Sequence, residues 1–412
     1  MRSIVFLLLC GSLALGQNGP SERVLNLRVE GGLDARFPAA LLTSRPVTIS
    51  FDGTNGDPEQ FVIRIWHCDR DWRRTESIFL NDPNQNSIRT QIPYVRAPQG
   101  VQNYRYSYTL RLPGTREWER FRYSGNYIVE IWDEGEAHQV GTARIVVAES
   151  LLASGAKVWN RQLPSEVAPL NQVNRVAVTY AVPPQDPRDD APVYAQYIRT
   201  VDVYRNREMS RPYRIDVDDQ DPETFVEGWG TNAMQFLIGN IPCGNEYRVL
   251  DIRSTDLYPP GPLLRPRDGS DVLRWLHQGV RDHNGTSTQV TAGMYADDVE
   301  YQFELLVPVV QAPDSVFVVG DFNGWDPSNV WKMGWDPSTG RFVARERLRR
   351  GRYDYQYVAN GTDWLTLEGN DWRTTNVFTA VIYYRDPRFG GFDRVLGIAQ
   401  GRSPGGTVAT AP

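Results

Sequence analysis

Cysteine and histidine are scarce in this sequence, and their scarcity closes off several chemistries. Only three cysteines and four histidines occur in 412 residues. There is no CxxC pair, and His67, His138, His277 and His283 form no cluster with metal-ligand spacing, so neither a metal nor a cofactor is expected. A G-x-S-x-G elbow, a P-loop, an H-E-x-x-H helix and an EF-hand loop are also missing. Carboxylates are plentiful, but nothing in the sequence singles out a pair spaced for glycoside hydrolysis. No catalytic residue is therefore expected. Beyond the N-terminus no stretch approaches the roughly 18 apolar residues of a membrane helix. Charge of one sign does not dominate either: 44 Lys+Arg are interleaved with 50 Asp+Glu, net −6. Without a basic stripe, nucleic acid is not an expected partner.

What is present is ample core material, 41% hydrophobic and 11% aromatic, enough for packed domains. The opening MRSIVFLLLCGSLALGQNGP reads as a secretory signal peptide over residues 1–16. Arg2 supplies the positive region, Ile4 to Leu9 the apolar core, and Ala14 and Gly16 the small residues before cleavage. Cys10 follows Leu9 inside the apolar run, where a lipobox wants a small residue, so lipidation is not expected. The mature chain keeps Cys68 and Cys243. An exported chain permits a disulfide between them, with two buried free thiols as the alternative. His67 adjoins Cys68, but neighbours on a strand point to opposite faces, which argues against a dyad.

Strand periodicity dominates. YRYSYTLRL (104–112) alternates almost without a break, and SGNYIVEIWDEGEAHQVGTARIVVAE reads as a hairpin around an acidic, glycine-containing turn. The spacing predicts an all-β chain of tandem immunoglobulin-like or early-set sandwiches. Three units are expected. The first is a sandwich over 23–149 and the second a β-rich domain over 150–296, with proline- and aspartate-rich loops such as PPQDPRDDAP. The third is a sandwich over 297–400 with strands VEYQFELLVP, SVFVVGD, RFVARERL, RYDYQYV and VFTAVIYY. A small polar tail, 401–412, is expected to be disordered.

Two local motifs carry chemistry-bearing side chains. HCDRDW, at 67–72, groups Asp69 and Asp71 just after a strand. Arg70, Arg73 and Arg74 stand close enough in sequence to pair with them, which reads as a salt-bridged strand end. GDFNGW, at 320–325, follows the strand SVFVV. Asn323 and Gly324 suit a tight turn with φ > 0, and Phe322 is expected to anchor the core. This motif, with RRGRYDYQYVANGTDW after it, resembles the early-set modules of glycogen-binding and isoamylase-type proteins. That resemblance implies a glucan contact through Trp325, Gln356 and Trp364, with Gln356 standing where the sugar binders carry Lys.

A wider resemblance covers nearly all of the mature chain. HCDRDW after FVIRIW, YSGNYIVEIWDE leading into TARIVVAE, CGNEYRVLDIRS, and VFVVGDFNGW through LEGNDWRTTNVFTAVIYYRDPRFGGFDRVLGIA occur in the order of the plug proteins of the type IX secretion system of the Bacteroidetes. The resemblance implies an exported, non-enzymatic protein held at the periplasmic mouth of a large outer-membrane β-barrel translocon. The alternative is an exported carbohydrate-binding protein.

Overall fold

The structure is a computed structural model that describes residues 23–164, 171–184, 192–219, 221–276 and 281–404. The expected signal peptide with Cys10, most of the PPQDPRDDAP loop, His277 and the tail beyond 404 lie outside the described residues. Nearly every element is a strand, and among the described residues the helical segments are three-residue 3-10 turns. The all-β expectation holds, because alternating apolar positions such as those of YSYTLRL, buried at Tyr108, Leu110 and Leu112, need a partner sheet to cover them.

The first sandwich packs Val24–Glu30, Val47–Gly53, Tyr106–Leu112 and Tyr94–Arg96 against Ala39–Leu41, Gln139–Ala148, Gly125–Trp132, Val62–Cys68 and Ser87–Ile88. Its core runs through Ile49, Phe51, Phe61, Ile65, Leu110, Val129 and Ile145. The expected hairpin pairs Gly125–Trp132 with Gln139–Ala148.

The middle sandwich draws on distant parts of the chain. One sheet joins Ala153–Gln162, Gln172–Ala181, Ala233–Pro242 and Phe225–Glu227. The other joins Tyr213–Asp216, Thr200–Arg205, Val377–Asp386 and Phe392–Arg402. Val203 pairs with Ala380 and Val201 with Ile382, and one core holds Val176, Phe236, Val203, Phe378 and Leu396. The boundaries expected at 296 and 400 therefore do not follow sheet membership, whereas sheets do change between Ala148 and Ala153. VFTAVIYY belongs to the middle sandwich, not to the one that carries GDFNGW. EYRVLDIRS moves the other way: Arg248–Asp251 pairs with Gly351–Ala359. The last strand also runs to Arg402, two residues into the expected tail. Periodicity shows that a segment is a strand but not which strand it pairs with, and these pairings close loops of a hundred residues or more.

The third sandwich, spanning 248–367, is thus an insertion into the second. It packs Asp271–Val272, Asp298–Leu306, Arg341–Arg349 and Gly334–Asp336 against the sheet of Arg248–Asp251, Gly351–Ala359, Ser287–Gln289 and Val316–Gly320. Its two chain crossings run side by side. The Gly244 amide donates to Asn370 Oδ1 at 2.7 Å, the Asp371 amide to the Gly244 carbonyl at 2.6 Å, and Asn376 Nδ2 to the Cys243 carbonyl at 2.8 Å. Gly244 sits at φ +69°, and a Cβ there would lie 2.3 Å from Arg205 Nη1. Only glycine fits.

Candidate functional site at the domain junctions

The motifs that stood out in the sequence converge on the junctions between the three sandwiches. GDFNGW follows Val316–Gly320 as a 3-10 turn, Asp321–Asn323. Asn323 closes the turn with its amide, accepting from the Gly320 amide at 3.0 Å and donating to the Val318 carbonyl at 3.0 Å. The left-handed residues are Gly324, at φ +64°, and Trp325, at φ +60°, rather than Asn323 and Gly324. Phe322 leans on the inserted core, its ring 5.3 Å from Trp331 and 5.7 Å from Phe303, as expected of an anchor.

Trp325 is fully buried. Its ring packs on Tyr247 with centroids 4.2 Å apart, and its Nε1–H donates to the Gly285 carbonyl at 3.0 Å. Trp364 is 4% exposed in the same cluster, under the Arg211 guanidinium at 5.5 Å. Gln356 lies buried on Gly351–Ala359, in register with Val319. The structure therefore gathers Trp325 and Trp364 into one cluster but leaves neither ring face open for a sugar to stack on. That cluster also borders the middle sandwich, since Ser210 Oγ donates to the Trp325 carbonyl at 2.9 Å.

Arg207 ties all three sandwiches together. Its guanidinium donates to the carbonyls of Val29, Ala35 and Arg36 in the first sandwich, at 2.9 to 3.1 Å. Its Nε reaches Asp321 Oδ1 of GDFNGW at 2.8 Å, and both side chains are nearly buried. A second clamp joins the first and inserted sandwiches. There Arg349 lies 2.8 Å from Asp52 and 3.5 Å from Asp298, with its guanidinium 3.9 Å from the Tyr104 ring centre. Asn26 Nδ2 donates to both carboxylates. Sequence reasoning passed over Arg207 and Arg349, because a single arginine among many carries no local signal.

Around the chain crossings of the insertion, CGNEY and the 368–376 segment form a buried polar core. Glu246 accepts from the Thr375 and Asp282 amides, and Tyr247 Oη donates to Glu208 Oε1 at 2.8 Å. Asp282 accepts from the Tyr247 and Asn284 amides. Burial, with the Glu246 and Asp354 carboxylates beside it, pushes its carboxyl up to about 8. This gives a signed prediction. Below that pH the folded protein holds a proton that the unfolded chain, ionised above its usual carboxylate range, does not. Stability therefore falls as pH rises from the usual carboxylate range toward 8 and levels off above it, the drop between pH 7 and 9 being on the order of 1 kcal/mol. Urea unfolding at the two pH values, in wild type and in Asp282→Asn, should show a drop that is smaller by that amount in the variant.

HCDRDW lies at the joint between the first and middle sandwiches. His67 is buried and burial lowers it to about 4, so its ring is neutral. The Ser124 carbonyl, 3.1 Å from Nε2, can only accept, which leaves Nδ1 to accept from the Thr75 hydroxyl at 2.8 Å. Cys68 turns toward the Trp66 carbonyl instead, and burial raises its thiol to about 12. Cys243 is raised likewise, and both cysteines are buried free thiols. The disulfide permitted by the sequence is not formed. Asp69 caps its own turn through the Asp71 and Arg73 amides. The remaining ionic pairings differ from those expected, because Asp71 pairs at 2.7 Å with Arg214 of the middle sandwich, Arg70 with Asp216, and Arg74 with Glu130. A polar cleft of about 280 Å³ opens here, lined by Asp69, Arg70, Asp71, Arg199, Asp216 and Arg385 among others. Among the described residues no three His, Cys, Asp or Glu side chains group as a metal site would require.

Residues 24–149, the sandwich that carries HCDRDW, match the family model described as type 9 secretion system plug protein 1st domain. The first sandwich belongs to that family. No curated protein matches the chain. Among solved structures, a hypothetical protein from Parabacteroides merdae is similar, with a TM-score of 0.74 and 21% identity. The match covers 93% of this chain and 98% of that one. At that identity the likeness concerns the fold, and it extends across all three sandwiches of this chain. Among the described residues no helix is long and apolar enough to cross a membrane.

Proposed function

We propose that this protein is the plug of a type IX secretion system. It is exported, seats on the periplasmic mouth of the large outer-membrane translocon barrel and closes it without catalysing a reaction. The observation that carries this reading is the match of residues 24–149 to the plug first domain. The mechanics of the fold support it. A stopper for a wide pore has to keep its shape, and a chain of freely hinged sandwiches would leak. Here the third sandwich is inserted into the second, and both are bolted to the first through Arg207, Arg349 and the HCDRDW joint. Interfaces of this kind, apolar with buried ionic anchors, oppose the domain motion that is otherwise the default. The burial of Trp325 and Trp364 counts against the carbohydrate-binding alternative.

The test is capture from mildly solubilised outer membranes of the source cell with a tagged mature protein. A giant β-barrel in near-equal amount is the expected result. Its absence, under conditions that keep other envelope complexes whole, would remove the proposal.

A further inference from the structure

The joint between the first and middle sandwiches reaches the surface as a ladder of aromatic rings. Phe79, from the loop after HCDRDW, stacks on Phe389 of the middle sandwich, with centroids 5.1 Å and planes 25° apart. Tyr123 meets Phe389 edge-on at 5.6 Å, and both Tyr123 and Phe389 rest against the buried Phe392. The outer rung is open: Phe79 is 65% exposed and its neighbour Ile78 66%. Isolated apolar side chains on a surface mean little, but a contiguous stack built from two domains is a different feature.

Phe389 adds an independent observation. It sits at φ +54°, followed by Gly390 at +86° and Gly391 at +94°. Glycine adopts such angles freely, whereas for a bulky ring they are strained. The strain does not place Phe389 in the core, because its ring stays partly exposed on the ladder. Backbone strain held by the surrounding structure clusters at binding sites. The turn thus holds an aromatic face toward solvent at a conformational cost.

The border of the ladder is cationic. The Arg385 and Arg388 side chains are 52% and 37% exposed, while their partners Asp393 and Asp386 are 11% and 3% exposed. Guanidinium edges therefore face outward and the carboxylates inward. Beyond Arg385 and Asp393 the polar cleft begins, so rings, cations and cleft form one continuous surface.

We propose that this ladder is the docking surface for a protein segment that carries a carboxylate beside an aromatic or aliphatic side chain. The rings desolvate the apolar part, and the outward guanidinium edges take the carboxylate, aromatic rings and arginine being the side chains enriched at interface hot spots. The inference rests on the plug reading, under which the segment belongs to the periplasmic face of the translocon barrel.

The experiment compares barrel capture by wild type, Phe79→Glu and Val310→Glu. Val310 is 94% exposed, on a 3-10 turn of the inserted sandwich, and serves as a matched control for adding charge to an apolar surface position. Wild type and Val310→Glu should capture the barrel alike, and Phe79→Glu should bind about thirtyfold more weakly, with the same thermal midpoint. Ile78→Glu repeats the test without touching the stack, should Phe79→Glu unfold. Equal capture by all variants overturns the docking surface and leaves the plug reading standing. So does equal loss from Phe79→Glu and Val310→Glu, or a Phe79-dependent binding to anionic vesicles or to a second copy of the chain in place of the barrel. No barrel with wild type overturns both.

Discussion

Replacing Arg207 with alanine is expected to lower stability by about 3–5 kcal/mol, the loss typical of breaking a buried ionic contact from one side. The size follows from what is left behind. Asp321 keeps a side chain only 9% exposed and loses its cation, although the Ser287 hydroxyl still donates to it. The carbonyls of Val29, Ala35 and Arg36 lose a donor at the same moment. A buried group stripped of its partner costs more than the contact itself was worth. Lysine cannot repair the defect, since a single ammonium cannot span three carbonyls and a carboxylate as a planar fork does. Arg207→Lys should recover less than half of the loss. Urea unfolding checks the first expectation through a lower midpoint. If the single transition also splits in two, the inserted sandwich has come loose and unfolds separately. Unchanged stability in Arg207→Ala would mean that the junction is not held there.

The consequence for function is mechanical. Two arginines, Arg207 and Arg349, add ionic links between sandwiches that also share apolar contacts, such as Phe37 and Val146 of the first against Tyr204 and Val381 of the middle. Under the plug reading, loosening either should weaken closure of the pore without touching the surface proposed to meet the barrel. Loss of the Phe79 ladder should weaken docking while the body stays rigid. The two kinds of variant therefore separate stiffness from attachment in the same capture experiment.

Much of the fold was legible because strands announce themselves. YRYSYTLRL alternates almost without a break and YIVEIW leads into an acidic turn, and the structure makes the first a strand and the second half of a hairpin. The order of assembly was not legible. VFTAVIYY is a buried strand whichever sheet takes it, and nothing in its eight residues says that Thr200–Arg205, far upstream, is its neighbour. The junction was half legible. HCDRDW and GDFNGW stood out as dense groups of polar and aromatic residues, CGNEY only as a landmark of the wider resemblance, and each turned out to lie where sandwiches meet. Their partners Arg207, Arg214 and Arg349 did not stand out, because an arginine that reaches across space leaves no periodic trace. For the same reason Asp71 was matched in sequence to arginines beside it, whereas in space it takes Arg214.

Trp325→Ala separates the two meanings of GDFNGW most sharply. The ring is wholly buried, packed at a tilt on Tyr247 and donating to the Gly285 carbonyl, so truncation should cost about 3–5 kcal/mol. Part of that is the cavity left by the largest of the fully buried side chains. Part is the Gly285 carbonyl, which loses its donor. Relaxation cannot fill the space, because Trp325 packs between the inserted sandwich and the Ser210 loop, and both backbones are pinned. A surface tryptophan that stacks on glucan would behave in the opposite way, losing ligand while the thermal midpoint held. Thermal unfolding and retention on a glucan matrix, measured together, distinguish these outcomes. The expected result is a large fall in midpoint and no glucan retention in wild type or variant. A stable Trp325→Ala protein that had lost a real affinity for glucan would instead show that the ring becomes exposed, and the early-set turn would regain the sugar-binding role its sequence suggests. The burial of the ring against Tyr247 argues for the first outcome: this turn has become the contact through which one sandwich holds another.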